Sequence, residues 1–389
     1  MRKAILFFTL FAIFCFLLLV IDAFWIGSEA DIQVYPTKLL TKAVVMTSDE
    51  KKVSKASEYF YDEFLNQTRF NGSILVAKNG KIVFEKYNGL TDLNEGNPID
   101  SSTSFHLASV SKTFTAMAIL KLWENNLLQI DSPAVNYLPQ FPYPNITIRN
   151  LLSHRSGIPN YVHFVESMGW NSNKNLTNND LLTLMNNNKQ KIRVGRNDSY
   201  FEYSNTNYAL LALIIEQVAK TSYANFLENT FFKPIGMNHS FVFNMEMKDK
   251  VLPSFKFNNR KENFTFLDAV YGDKNIYSTV RDMLRWDLAI NDGNMFKKET
   301  LDAAFQGYSH EKKGIKNYGL GWRLYELPSG KKIIYHNGWW HGNNTVFSRF
   351  PSDSTTIIVL GNKFNKSIYQ SKRIIGIYEG YGFQFIEDD

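Results

Sequence analysis

The chain has 389 residues, 44% of them hydrophobic, with 31 Phe and 20 Tyr, which is ample for a buried core and excludes a disordered chain. Lys and Arg number 43 against 37 Asp and Glu, a net charge of +6 with no dense basic run, and this argues against nucleic acid as a partner.

Arg2 and Lys3 precede an uncharged apolar run from Ala4 to Ile21, which Asp22 ends. A positive start followed by such a run is an export signal, and this one is also about long enough to span a bilayer. Residues 1–26 are therefore read as a signal peptide or membrane anchor, with membrane association through residues 4–26. The remainder is read as exported, to a periplasmic or other extracytoplasmic compartment. Ala12-Ile13-Phe14, ahead of Cys15, lacks the small residue that usually precedes a lipidated cysteine. Cys15 is the sole cysteine, so the rest of the sequence offers no disulfide, no thiolate metal site and no cysteine nucleophile. Residues 27–50 are unpatterned and read as a linker, and residues 51–389 as one domain.

Apolar residues at helical spacing (Val53, Ala56, Phe60, Phe64) predict an amphipathic helix reaching Leu65. Ser73–Ala77 and Ile82–Phe84 flank Asn79-Gly80, a hairpin signal because that turn needs positive φ at both central residues. Thr113–Leu128 predicts a helix buried on most faces, broken at Asp131-Ser132-Pro133. Asn205–Ala219 and Thr279–Asn291 predict two more helices. Ile333–Tyr335, Thr345–Phe350 and Thr356–Leu360 are short β-rich runs, and Ser367–Tyr378 predicts a closing helix. Strands at both ends with helices between predict an α+β fold of the α/β sandwich kind. An antiparallel sheet drawn from the N- and C-terminal strands carries helices on its faces, with a mostly helical insertion.

The first chemical signal is Ser109-x-x-Lys112, a hydroxyl and an amine one helical turn apart. At a helix start, the positive end of the dipole favours negative charge developing on the serine oxygen. The lysine amine must be desolvated or electrostatically tuned to accept a proton near neutrality. The same spacing recurs at Ser48/Lys51, Ser309/Lys312 and Ser329/Lys332, in polar, loop-like surroundings. Ser109 opens an apolar helix instead, where a lysine one turn in is costly. The bland alternative is a helix-terminal serine followed by a snorkelling lysine.

Ser109-x-x-Lys112 at the head of a buried helix resembles the serine β-lactamase and penicillin-binding protein superfamily. Tyr203-Ser204-Asn205, just before a helix, and His336-Asn337-Gly338, just after a β-rich run, resemble its second and third motifs in the right order. Leu151–Pro159, Pro234–Met237, Ile276–Thr279 and Tyr318–Trp322 are similar to its scaffold segments, so the resemblance spans about residues 55–380. It is strongest to the class C β-lactamase-like branch, which includes esterases and D-amino-acid peptidases.

The resemblance implies the β-lactamase/transpeptidase-like fold and a serine hydrolase that works through an acyl-enzyme. Ser109 would attack the carbonyl, while Lys112 and Tyr203 take its proton and pass it to the leaving group. Asn205, His336, Gly338 and Trp339 are the substrate-binding candidates. Asn205 would bond substrate and the lysine, and the backbone N–H groups of Ser109 and Trp339 would form the oxyanion hole. Singly, each residue has a plain alternative: Tyr203 a core tyrosine, Asn205 a helix N-cap, His336 a strand-end histidine. The mechanism that the resemblance implies requires no metal or cofactor. A metal reading of His154, His336 and His341 is disfavoured, because the segment around His154 is similar to a scaffold loop of the family and no Asp or Glu joins these histidines at ligand spacing. The substrate would be a small ester, peptide or β-lactam. In β-lactamases the third motif is usually Lys-Thr-Gly, whose cation and hydroxyl hold a carboxylate. His336-Asn337 replaces them here, which points toward an ester or small peptide, with Trp339 and Trp340 lining the site. The alternatives are a β-lactamase proper and a catalytically weak, membrane-anchored sensor domain. The loops Phe164–Asn197 and Met245–Tyr271 are expected to shape the pocket.

Overall fold

The computed structural model describes Leu40 and residues 45–379, so the apolar run Ala4–Ile21 and most of the expected linker lie outside the described residues. Among the described residues no helix is long and apolar enough to cross a membrane. Helix α1 (Ser48–Phe60) begins inside the stretch read as linker. A capping box starts it: Thr47 Oγ1 accepts the Glu50 N–H at 3.2 Å, and the Glu50 carboxylate accepts the Thr47 N–H at 2.9 Å. Ser48 and Lys51 therefore lie on a helix rather than in a loop, both exposed. A wider turn, Tyr61–Leu65, carries the helical path to the predicted end.

Strands β1 (Gly72–Lys78) and β2 (Lys81–Asn88) form the predicted hairpin, with Asn79 at φ 52° and Gly80 at φ 74°. After the short strand β3 (Phe105–His106), helix α2 (Ser111–Glu124) is buried along nearly its whole length. It stops short of the predicted Leu128 because Asn126 turns left-handed at φ 58°. Helices α3 (Asn178–Asn187) and α4 (Asn205–Ala219) follow, the latter with the predicted ends. Next come β4 (Phe241–Val242), β5 (Ile276–Ser278), α5 (Val280–Asn291, capped by Thr279) and α6 (Lys298–Ala304). The chain returns to the sheet with β6 (Lys316–Tyr318), β7 (Arg323–Glu326), β8 (Lys332–Trp340), β9 (Asn343–Phe350) and β10 (Thr355–Gly361). A tight turn of helix, Lys366–Lys372, then leads into α7 (Arg373–Glu379).

The main sheet runs β2-β1-β10-β9-β8-β7-β6 and is antiparallel throughout, so the first strands pair with the last, Gly72 opposite Gly361 and Lys78 opposite Thr355. Ile74 and Val76 of β1 share an apolar core with Val53 and Phe60 of α1 and Ile374 of α7. Their neighbours Leu75 and Ala77 face the opposite core, with Met117 of α2, Leu210 of α4 and Leu284 of α5. Successive side chains of a strand point to opposite faces, so a sheet covered on both sides reads as an unbroken apolar run. That is why β1 and β10 show no alternation. The small sheet β3-β5-β4 was not legible in sequence, because strands of two or three residues carry no period. It ties the segment ahead of Ser109 to the stretch around residue 276.

Candidate active site

Ser109 lies in the tight turn Ala108–Val110 that feeds α2. Ala108 has φ 48°, a left-handed conformation that costs a non-glycine residue about 1 kcal/mol or more. The surroundings hold it there. The Ala108 N–H is bound by His106 Nδ1 at 3.1 Å, the Leu107 N–H by Ile276 O at 2.8 Å, and Leu107 O by the Thr345 hydroxyl at 2.7 Å. Accepting at Nδ1 leaves the proton of His106 on Nε2, which meets Asn275 Oδ1 at 3.1 Å. Burial lowers the His106 pKa to about 4, so the ring is neutral.

Lys112 sits one turn further on and is fully buried. Its Nζ lies 3.1 Å from Ser109 Oγ and donates to Asp273 O at 2.7 Å. The rings of Tyr203 and Tyr208 stand 5.1 and 5.6 Å from the same nitrogen. Lys112 was expected to bond Asn205. The structure gives that place to the Asp273 carbonyl, and Asn205 Oδ1 is buried without a hydrogen-bond partner among the described residues. Asn205 is not the N-cap of α4 either; Ser204 holds that position.

Tyr203 is part-exposed and packs on His154, ring centres 4.4 Å apart, with the Arg323 guanidinium 5.4 Å from its ring. Burial pushes the Tyr208 and Tyr318 hydroxyls well above the ordinary tyrosine range. His154 accepts the Ser204 N–H at Nδ1, 3.2 Å, which fixes the segment carrying Tyr203. Its pKa is held well below the histidine range by burial, then by Lys112 and His336.

The third segment is β8. Strand β7 pairs with it over Lys332–Tyr335, so from His336 to Trp340 its sheet partner is β9, and among the described residues no strand pairs with the other edge. A Cβ on Gly338 would stand 2.4 Å from Leu107 O, 2.2 Å from Thr345 Oγ1 and 3.1 Å from Ala108 Cβ. Glycine is needed there because the strand packs on the backbone that leads into Ser109. His336 lies behind this edge, fully buried. Its Nδ1 meets Asn337 O at 2.7 Å and its Nε2 the Tyr318 hydroxyl at 3.3 Å. Burial first, then Arg323 and Lys112, hold its pKa well below the histidine range. The His336 side chain is thus placed as a neutral brace of the strand, and its ring nitrogens are occupied. Trp339 is 64% exposed, while Trp340 turns inward to donate to Asp268 at 2.6 Å.

His341 belongs to a different corner, where Nε2 meets both Asp268 oxygens at 3.0 Å. That corner opens on a cavity of about 410 Å³ walled by the 248–264 part of the second loop. Among the described residues no three His, Cys, Asp or Glu side chains are grouped as a metal ion would require. Sequence reasoning missed Tyr161, Asp273, Lys274 and Arg323. Asp273-Lys274 just ahead of a β-rich run looks like a solvated turn, and nothing in its spacing reveals that both side chains are buried.

The Beta-lactamase family model matches residues 58–375. Penicillin-binding protein 4* of Bacillus subtilis is 31% identical over 318 residues, covering 78% of this chain and 70% of that protein. Among solved structures, D-amino acid amidase from Ochrobactrum anthropi SV3 superposes with TM-score 0.69 at 20% identity, over 84% of this chain and 98% of that one. EstCE1, a hydrolase with promiscuous acyltransferase activity, superposes with TM-score 0.71 at 19% identity, over 85% of this chain and 100% of that one. At those identities the two structural likenesses are likenesses of fold.

Proposed function

We propose that this chain, which belongs to the β-lactamase family of serine hydrolases, cleaves a small ester or amide through an acyl-enzyme on Ser109, as a carboxylesterase or D-amino-acid peptidase does. The observation that carries the reading is the Lys112 amine, fully buried and 3.1 Å from Ser109 Oγ, with a backbone carbonyl rather than a carboxylate as its second partner. An amine so placed is within proton-transfer reach of the hydroxyl.

In this reading Ser109 Oγ attacks the substrate carbonyl carbon, and its proton passes to the Lys112–Tyr203 pair. The oxyanion is held by the N–H groups of Ser109 and Trp339, and the leaving group departs with the proton. Water, deprotonated by the same pair, then releases the acid and restores Ser109. The substrate lies along the open edge of β8, with Asn205 as a polar contact and Trp339 as an apolar one. The buried, neutral His336 supports the ester or peptide reading over efficient β-lactam hydrolysis, because it supplies no cation for a substrate carboxylate. Arg2 and Lys3 ahead of the uncharged Ala4–Ile21 run support export, so the domain would meet its substrate outside the cytoplasmic membrane.

Wild type and Ser109→Ala, incubated with a p-nitrophenyl ester or a chromogenic penicillin and followed by intact-protein mass, test the assignment. We expect ester turnover and an adduct in wild type alone. Faster penicillin turnover would move the chain to the β-lactamases proper, and identical behaviour of the two proteins would remove Ser109 from the mechanism.

A further inference from the structure

Directly behind Lys112 lies a second group of buried charges that the reaction above does not use. Asp273 is 1% exposed and Lys274 2%. Lys274 Nζ donates to the Tyr161 hydroxyl at 2.6 Å and to Val270 O at 3.2 Å, and stands 3.5 Å from Asp273 Oδ2. Tyr161 donates to the same Oδ2 at 3.1 Å. Asp273 Oδ1 is buried with no hydrogen-bond partner among the described residues.

The segment is held from several sides. Gly272 O takes a bond from Thr115 Oγ1 at 2.6 Å, and Asp273 O takes the one from Lys112. The Asn275 amide spans Asp268 O and Val270 O at 2.6 and 2.8 Å, and the Ile276 N–H reaches Ser111 Oγ at 3.1 Å. Gly272 and Asn275 both have positive φ, 92° and 77°. A Cβ on Gly272 would lie 2.5 Å from Tyr208 O, so the backbone is wedged between α2 and α4.

A carboxylate fixed in such a place needs a cation, since a lone buried charge is far more costly than a paired one. Two buried lysines lie against Asp273: Lys274 stands 3.5 Å from its carboxylate, and Lys112 donates to its main-chain carbonyl at 2.7 Å. One of them, Lys112, is the amine that the Ser109 chemistry requires. We propose that Lys274 is the dedicated counter-ion of Asp273, a positioning residue that keeps Lys112 from being captured in that role and so leaves its amine to Ser109. The inference rests on the Ser109–Lys112 reading above. The rival view is that Lys274 merely fills space and stacks on Trp340, 4.6 Å from that ring. A packing role would lower stability, but would neither move a pH profile nor be relieved by neutralising Asp273.

The test compares wild type, Lys274→Met and the double variant Asp273→Asn/Lys274→Met. The readouts are the rate of fluorophosphonate labelling at Ser109 across pH, and thermal unfolding. Lys274→Met should label about 100-fold more slowly near neutrality, the lower range of what a positioned base supplies. Its rise with pH should be displaced upward, because an uncompensated carboxylate holds a proton on Lys112. The other groups facing Lys112, namely Tyr203, Tyr208, His154 and His336, are the same in all three proteins and cannot account for a difference between them. The double variant, with no carboxylate to compensate, should recover most of the rate.

A folded Lys274→Met that labels like wild type overturns the proposal, and so does a double variant no faster than the single. Should Lys274→Met fail to fold, the double variant decides. Near-wild-type labelling supports the counter-ion role, and labelling at the Ser109→Ala background overturns it. A wild type that is never labelled overturns the functional reading and this inference together; a labelled wild type indifferent to Lys274 overturns the inference alone.

Discussion

Replacing Gly338 by Ala places one methyl group where β8 meets the turn that carries Ser109. The new Cβ would be 2.4 Å from Leu107 O and 2.2 Å from Thr345 Oγ1, against 3.4 Å or more for ordinary contact. The carbonyl is backbone, and it is already pinned by the Thr345 hydroxyl at 2.7 Å, so the strand and the turn must separate. On the proposed function, with Ser109 as the reacting serine and β8 as the substrate-binding strand, a separation of about 1 Å should cost about 100-fold in rate. Overpacking at such a site costs about 1–3 kcal/mol of stability. Steady-state kcat/KM on the ester substrate measures the first effect and urea unfolding the second. Removing Thr345 Oγ1 as well should not restore activity, because the Leu107 carbonyl remains in the way. A Gly338→Ala protein within a few-fold of wild-type kcat/KM would refute the claim that the third motif's glycine exists for this close approach.

Stability should fall as the medium turns mildly acidic. The His106 pKa is about 4 in the fold and about 6.5 when unfolded, so the unfolded chain binds the extra proton between these values. The stabilisation is complete above about pH 6.5 and is lost as pH falls toward 4, amounting to about 3 kcal/mol for this group alone. His154 and His336 are shifted the same way by burial. Asp268, held at about 2, contributes in a lower window, lost as pH falls below the unfolded carboxylate value. Urea midpoints that stay flat from about pH 7 to 5 would contradict the neutral, buried histidines. For the export reading, cell fractionation of the full chain should find it in the membrane or outside the cytoplasm, and removal of residues 4–26 should retain it inside. Full-length protein soluble in the cytoplasm would end that reading.

What could be read from the sequence was whatever has a period or a turn chemistry. The hairpin at Asn79-Gly80 needs two positive φ values and has them, and α4 begins and ends where the sequence predicts. The pairing of first with last strands followed from their positions in the chain, and the sheet order bears it out. The site was legible as three short segments because each stands next to a regular element: a helix start, a helix start, and a strand. Partners that come from irregular chain were hidden. Asp273 reaches Lys112 through a carbonyl, which any residue type carries, so no side-chain pattern could announce it. Arg323 opens a four-residue strand, and its approach to Tyr203 depends on the register between β7 and β8.

The third segment shows how a motif can keep its geometry while changing its chemistry. Gly338 preserves the close approach of the strand to the Ser109 turn, which depends on the absence of a side chain and not on charge. His336 gives up a cation at the first position of the motif: its ring is buried, neutral and bonded at both nitrogens. Restoring a cation by His336→Lys would therefore not recreate an anion-binding site. The new ammonium would be enclosed by Tyr318 and near Lys112 and Arg323, whose charges already oppose protonation of His336. Its desolvation would go uncompensated, and the cost would be taken from stability rather than returned as affinity for carboxylates. On the proposed function, a preference for uncharged over carboxylate-bearing substrates would then be set by the packing around β8 and not by the identity of one side chain.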